Sequence, residues 1–351
     1  MLPPNVRDLA GGNPDPAHLP PLGPALARLE SGHKLYGGPA KLERLVELAR
    51  DDFATDGIDG EIAVVGGALD GIERVLQAQL RPGDRVVVED PAWPRIADLV
   101  RALALQPAPA RIDRRGLVPE RLEDALRSGA RAVIATPRGQ NPTGAAVDPR
   151  RARELREVFD RHPEAIVIED DYVAAVSGAP YVPLHREGSW VVIRSFSKVL
   201  GPDLRVAVMA GDPLTIGRVE GRQLLGSGWV SHLLQQTAAE LWSSVATRKL
   251  LARAEKSYAA RRAALVDALA ARGIEAQGDS GLSVWIPVVE EVATVQQLLD
   301  SGWAVSPGER FRFESPAGIR VTTATLEPDD AEELADALAA LWSVSGSTYA
   351  A

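Results

Sequence analysis

Short runs of apolar residues, each too brief for a helix, recur through the first two thirds of this chain. They are Ile62–Val65, Arg85–Glu89, Ala132–Thr136, Ile166–Glu169, Val191–Arg194 and Val206–Ala210. Stretches with helical spacing lie between most of them. Leu69, Ile72, Val75, Leu76 and Leu80 mark one, and Leu155, Val158 and Phe159 another. An unbroken run of branched residues suits a strand buried on both faces, and such strands pair in parallel through helical crossovers. The pattern restricts this part of the chain to an α/β fold whose mostly parallel sheet is covered by helices on both sides. Before it, residues 1–40 are rich in Pro and Gly and read as an extended arm with a short helix near Leu22–Leu29; regular helical spacing starts at Leu42. Beyond Gly211 the pattern turns mostly helical through Ala271. Leu282–Pro287, Gly302–Val305 and Ile319–Thr323 then read as strands and Asp329–Leu341 as a helix, which makes a smaller α+β unit.

Composition narrows the chemistry. The 351 residues are 45% hydrophobic and 25% charged, with a formal net charge of -9. Such a chain has room for two domains and is not, as a whole, a binder of phosphate backbones, so no nucleic-acid partner is expected for it alone. The absence of cysteine removes disulfides, thiolate metal sites and cysteine nucleophiles; no metal site is expected. No leader-like start and no run of about 20 apolar residues is visible, so the expectation is a cytoplasmic protein without a membrane span.

Positive charge is written almost entirely as arginine. The lysines are Lys34, Lys41, Lys198, Lys249 and Lys256. Lys198 stands in Ser195-Phe196-Ser197-Lys198-Val199-Leu200-Gly201, directly after an apolar run, with Arg205 seven positions on. A lysine whose pKa is lowered can form a Schiff base, and arginine cannot, because its guanidinium stays protonated. The setting points to covalent chemistry with an aldehyde.

Other marked residues fall at the carboxyl ends of the expected strands, where ligands of such sheets sit. Glu169-Asp170-Asp171-Tyr172 ends one run. Paired acids there are ordinarily solvated turn residues or caps; a buried aspartate facing a pyridinium nitrogen is the sharper reading. Thr136-Pro137-Arg138-Gly139-Gln140-Asn141-Pro142-Thr143-Gly144 ends another, either a plain loop or a rigid turn, cis at proline, that aims Asn141. Gly66-Gly67-Ala68 joins a strand to a helix, as a tight connection or as backbone N–H donors for a phosphate. Trp93, in Pro91-Ala92-Trp93-Pro94, is a packing residue or a stacking surface for a planar ring.

Taken in order, Tyr36, Gly-Gly-Ala, Pro-Ala-Trp, Asn-Pro-Thr-Gly, Asp-Asp-Tyr, Ser-Phe-Ser-Lys and Gly318-Ile319-Arg320 resemble the fold-type I pyridoxal-phosphate aminotransferases of class I/II, over essentially the whole chain. Gly11-Gly12-Asn13-Pro14-Asp15-Pro16, Glu169–Tyr172 and Gly228-Trp229-Val230-Ser231-His232 resemble more closely the aminotransferase-like domain of MocR-type regulators. The resemblance implies an aspartate aminotransferase-like fold: a mostly parallel seven-stranded sheet between helices, plus a smaller α+β domain. Residues 1–36 would form an arm belonging to the small domain, 37–232 the large cofactor-binding domain and 233–351 the C-terminal small domain. It implies pyridoxal 5′-phosphate as cofactor and amino acids and 2-oxo acids as substrates, with Lys198 carrying the Schiff base and moving the proton. Asp170 would pair with the ring nitrogen, Tyr172 and Asn141 with the ring oxygen, and Trp93 would stack on the ring. Ser195, Arg205 and the backbone at Gly67–Ala68 would hold the phosphate. Arg320 would clamp the substrate carboxylate, with Asn141 beside it and the arm at Gly12 and Asn13 closing over. Tyr36 would reach the phosphate of a neighbouring subunit, which implies a homodimer with shared sites.

Two departures stand out. Gly66-Gly67-Ala68 lacks the hydroxyls many relatives place at the phosphate, which shifts that task to Ser195 and Arg205. The residues before Gly11 are too few for the winged helix with which MocR regulators begin. An aminotransferase is therefore the expected function. The alternatives are a cofactor- or ligand-sensing domain of a MocR-type regulator, or another pyridoxal-phosphate reaction such as elimination, decarboxylation or oxidation.

Overall fold

The apolar runs become strands of one sheet. The computed structural model describes residues 3, 5–29, 32–185 and 187–348. Its strands are β1 (Arg7–Asp8), β2 (Glu61–Val65), β3 (Arg85–Asp90), β4 (Gln106–Asp113), β5 (Gly116–Leu117), β6 (Ala130–Ala135), β7 (Ile166–Asp171), β8 (Trp190–Ser195), β9 (Ala207–Gly211), β10 (Ser283–Pro287), β11 (Trp303–Ala304), β12 (Ser306–Pro307) and β13 (Gly318–Thr322). Its helices are α1 (Gly23–Leu26), α2 (Glu43–Thr55), α3 (Ala68–Gln79), α4 (Pro94–Ala102), α5 (Pro119–Arg127), α6 (Pro149–Arg161), α7 (Pro213–Leu224), α8 (His232–Ser243), α9 (Val245–Ala271), α10 (Glu291–Asp300) and α11 (Pro328–Thr348).

The main sheet runs β2-β9-β8-β7-β6-β3-β4-β5. Its seven longer strands match the expected number, and the two-residue β5 adds an eighth position by folding back on the end of β4. β4 escaped the sequence reading because Pro107 and Pro109 argue against a strand. Both have the same parity, so their missing N–H groups fall on one side of a strand whose other side pairs with β3. β9 is antiparallel to both neighbours. The connection from β8 to β9, residues 196–206, is too short for a helical crossover, so the chain must reverse. That reversal carries Lys198 and Arg205 across the carboxyl end of β8.

Strand alternation divides the core into two layers. Val191 and Ile193 of β8, with Ile166 and Ile168 of β7, pack among residues of α3, α4 and α7. Val192 and Val167, of opposite parity, pack with residues of α2, α5, α6 and α8. A third cluster joins β10 and β13 to α11 and the second half of α9. α9 spans two clusters: Leu251, Ala254 and Tyr258 belong to the sheet's layer, and Leu265, Ala268 and Leu269 to the third. Two smaller sheets, β10-β13-β12 and β1-β11, complete this second unit. The pairing of β1 with β11 ties the N-terminal arm to it. Among the described residues, no helix is long and apolar enough to cross a membrane.

Candidate active site

A cavity of about 790 Å³ opens at the carboxyl ends of β3, β6, β7 and β8. It is lined by Gly12, Asn13, Ala68, Trp93, Asn141, Asp170, Tyr172, Ser195, Lys198, Arg205 and Arg320, drawn from segments far apart in sequence. Gly67, the residue before Ala68, is not among the lining residues and lies against Arg205. Tyr36 does not line this cavity; it is 92% exposed and meets Trp229 edge-on.

Parity places the acids. On β7, Asp170 shares a face with Ile168 and points into the cavity, whereas Asp171 points to the opposite side. Asp170 is buried, and its Oδ1 has no hydrogen-bond partner. Burial, then the negative charges of Asp171 and Glu89, push its carboxyl up to about 7. The Tyr172 hydroxyl donates to the Gly139 carbonyl at 2.7 Å, and burial keeps it protonated.

The reversal after β8 sets the cations. Lys198 Nζ donates to the Gly12 carbonyl of the arm. Burial and the nearby charge of Arg320 pull its ammonium down to about 8, so a large share is neutral in mildly alkaline solution. Ser195, at the end of β8, is buried and accepts from the Ser197 N–H at 3.2 Å. Arg205 has left-handed backbone angles, φ 48° and ψ 49°. Its guanidinium donates to the Gly66 carbonyl at 3.2 Å, beside the N-terminus of α3. Gly67 precedes that helix with φ 114°, and a Cβ there would sit 2.6 Å from Arg205 Nη2. Glycine thus gives the guanidinium room beside the helix's free N–H groups, an arrangement suited to a phosphate.

Arg320 of β13 enters from the second unit. It is 5% exposed, lies over the Phe311 ring at 4.9 Å, and donates to Asn141 Oδ1 at 3.2 Å and to the Ala10 carbonyl. Its Nε is buried without a partner. The Asn141–Pro142 peptide is cis, the isomer anticipated at this turn.

Sequence reasoning passed over Glu89. This buried acid, held up near 7 by burial, lines the cavity and accepts from the Thr136 N–H and Gln140 Nε2, each at 3.0 Å. Its signal was available: an acid at a strand's carboxyl end, like Asp170. Its neighbour Asp90 accepts the backbone N–H groups of Phe313, Glu314 and Ser315, each at 2.9 Å. Those bonds hold the loop bearing Arg310 and Phe311 against the main sheet, so the cavity closes on both units.

Residues 31–338 match the family model described as aminotransferase class I and II. The chain is 41% identical over 335 residues to the vitamin B6 salvage pathway transcriptional repressor PtsJ of Salmonella typhimurium, covering 94% of this chain and 78% of that protein. It is 27% identical to the aminotransferase tdiD of Emericella nidulans, over 87% of this chain and 79% of that one. Among solved structures, a kynurenine aminotransferase from Pyrococcus horikoshii superposes with a TM-score of 0.87 at 23% identity, covering 96% of this chain and 90% of the other.

Pyridoxal 5′-phosphate, the cofactor of such proteins, fits the residues present. The unpartnered Asp170 carboxylate suits a protonated ring nitrogen, Lys198 an aldehyde, and the Gly67–Arg205 cradle a phosphate. Family model, fold and a cavity carrying these groups together make this chain a member of the class I and II aminotransferase family.

Proposed function

We propose that this protein is a pyridoxal-phosphate-dependent aminotransferase that exchanges the amino group of an amino acid with a 2-oxo acid. One observation carries the reading: Asp170, which lines the cavity that holds Lys198 and Arg320, has a buried oxygen, Oδ1, with no partner. A buried acid left without a partner costs stability, and a cationic ligand group would recover that cost.

Arg205, Ser195 and the backbone at Gly67–Ala68 would hold the phosphate, and Trp93 would stack on the ring. Asp170 would keep a proton on the ring nitrogen, while Tyr172 and Asn141 would serve the ring oxygen. Pyridoxal phosphate, when bound, supplies an aldehyde for amine exchange and a ring that takes up the electron pair released at the substrate Cα. Lys198 Nζ takes the Cα proton, a role that its lowered pKa favours. Arg320 offers its free Nε–H and its fork to the substrate carboxylate, displacing the Ala10 carbonyl. Gly12 and Asn13 of the arm close the entrance. Tyr36, exposed here, reaches the phosphate of a second copy in a homodimer with shared sites.

The test is a panel of amino acids incubated with the cofactor-loaded protein. Without acceptor, a true donor yields 2-oxo acid equal to the number of sites; with acceptor, release continues. The 41% identity to a transcriptional repressor favours one second reading, a sensor that binds cofactor and amino acid without turnover. Binding with no 2-oxo acid from any donor would decide for the sensor.

A further inference from the structure

Behind the cavity, on the opposite face of β7, Asp171 is fully buried. It accepts from Arg138 twice, Nε on Oδ1 at 2.7 Å and Nη2 on Oδ2 at 2.8 Å. Arg194 Nε adds a third bond at 2.9 Å, and Arg194 also reaches Asp52 of α2 at 2.6 Å and Asp56 just beyond it. Arg138 differs from Arg194 in where it is anchored. Arg194 belongs to β8, already in register with β7, Asp171 opposite Arg194. Arg138 belongs to the turn between β6 and α6, three residues before Asn141. The next residue, Gly139, with φ 62°, supplies the carbonyl that accepts the Tyr172 hydroxyl. One ion pair therefore locks the turn bearing Asn141 to the strand end bearing Asp170 and Tyr172. A two-bonded guanidinium–carboxylate pair fixes orientation as well as charge, which a lysine could not reproduce.

We propose that Arg138 is a positioning residue: through Asp171 it fixes the residue 136–144 turn, which aims Asn141 into the cavity and binds the Tyr172 hydroxyl through the Gly139 carbonyl. The proposal rests on the cofactor site assigned above and not on turnover, so it stands or falls separately from transamination.

The experiment compares wild type, Arg138→Gln and Arg138→Lys, each alone and with Asn141→Ala. It measures pyridoxal phosphate affinity, the pH midpoint of the bound cofactor's visible band, and Tm. Donors to the ring oxygen lower the proton affinity of the neighbouring nitrogen, so a loosened turn raises the midpoint. Both Arg138 variants are expected to weaken affinity by about tenfold and to raise the midpoint. In the Asn141→Ala background Arg138→Lys is expected to add little to the midpoint shift. Arg138→Gln leaves the buried Asp171 short of a cation; if it does not fold, Arg138→Lys decides alone. Wild-type affinity and midpoint with only a lower Tm would overturn the proposal, as would midpoint shifts from Arg138→Lys and Asn141→Ala that simply add.

Discussion

Asp170 and Asp171 are neighbours on one strand, both buried, and differ in what meets them. Both oxygens of Asp171 are bonded to arginines behind the sheet; Asp170 lines the cavity and keeps one buried oxygen with no partner. The contrast extends along both faces. Behind the sheet, Glu169 accepts from Tyr181 at 2.6 Å and from the His185 N–H at 3.0 Å. On the cavity side, Arg320 Nε is unpartnered and burial lowers the pKa of Lys198. Saturated buried charge is structural, and unsaturated buried charge is a place prepared for a ligand.

The comparison breaks most visibly at Asp171. Asp171→Ala removes the carboxylate that Arg138 holds with two bonds and one of the three carboxylates around Arg194, and is expected to cost about 3–5 kcal/mol, measured by urea unfolding with and without cofactor. A loss below about 1 kcal/mol would place Asp171 among ordinary surface pairs. A smaller effect sits on the other face. Cofactor capture by the apoprotein needs the neutral Lys198 amine, so its rate should climb with pH through about 8. Arg320→Gln removes a positive neighbour and should move that midpoint upward, whereas Lys198→Ala should show no visible band at any pH. A rate flat from pH 6 to about 9 would mean that the amine does not set capture.

Much of this was legible in the residues. Apolar runs of strand length located the main sheet, and the motif order brought eleven expected site residues to one cavity. What stayed hidden depends on distant partners. Parity puts Asp170 and Asp171 on opposite faces, but residues alone do not say which face carries arginines, since Arg138 and Arg194 come from other segments. The contact of Arg320 with the Ala10 carbonyl joins the two ends of the chain and has no local signature. β4 was missed because proline weakens a strand in general but not at this position in the sheet. Glu89 was passed over because acids at a strand end look like solvated caps until their burial is known.

On the proposed function, Asp170 is kept unpaired for a cation that arrives with the cofactor. Its raised pKa means that the folded apoprotein loses stability as pH rises from near 4 to about 7, and regains none above that. Asp170→Asn escapes this loss. The direct measurement is the unfolding free energy of wild type and Asp170→Asn at about pH 8, each with and without pyridoxal phosphate. A change of sign is expected: without cofactor the asparagine variant is the more stable, on the order of 1–3 kcal/mol, and with cofactor the wild type is. The same sign in both states would contradict it, because Asp170 would then not be facing the cation this cavity is built to receive.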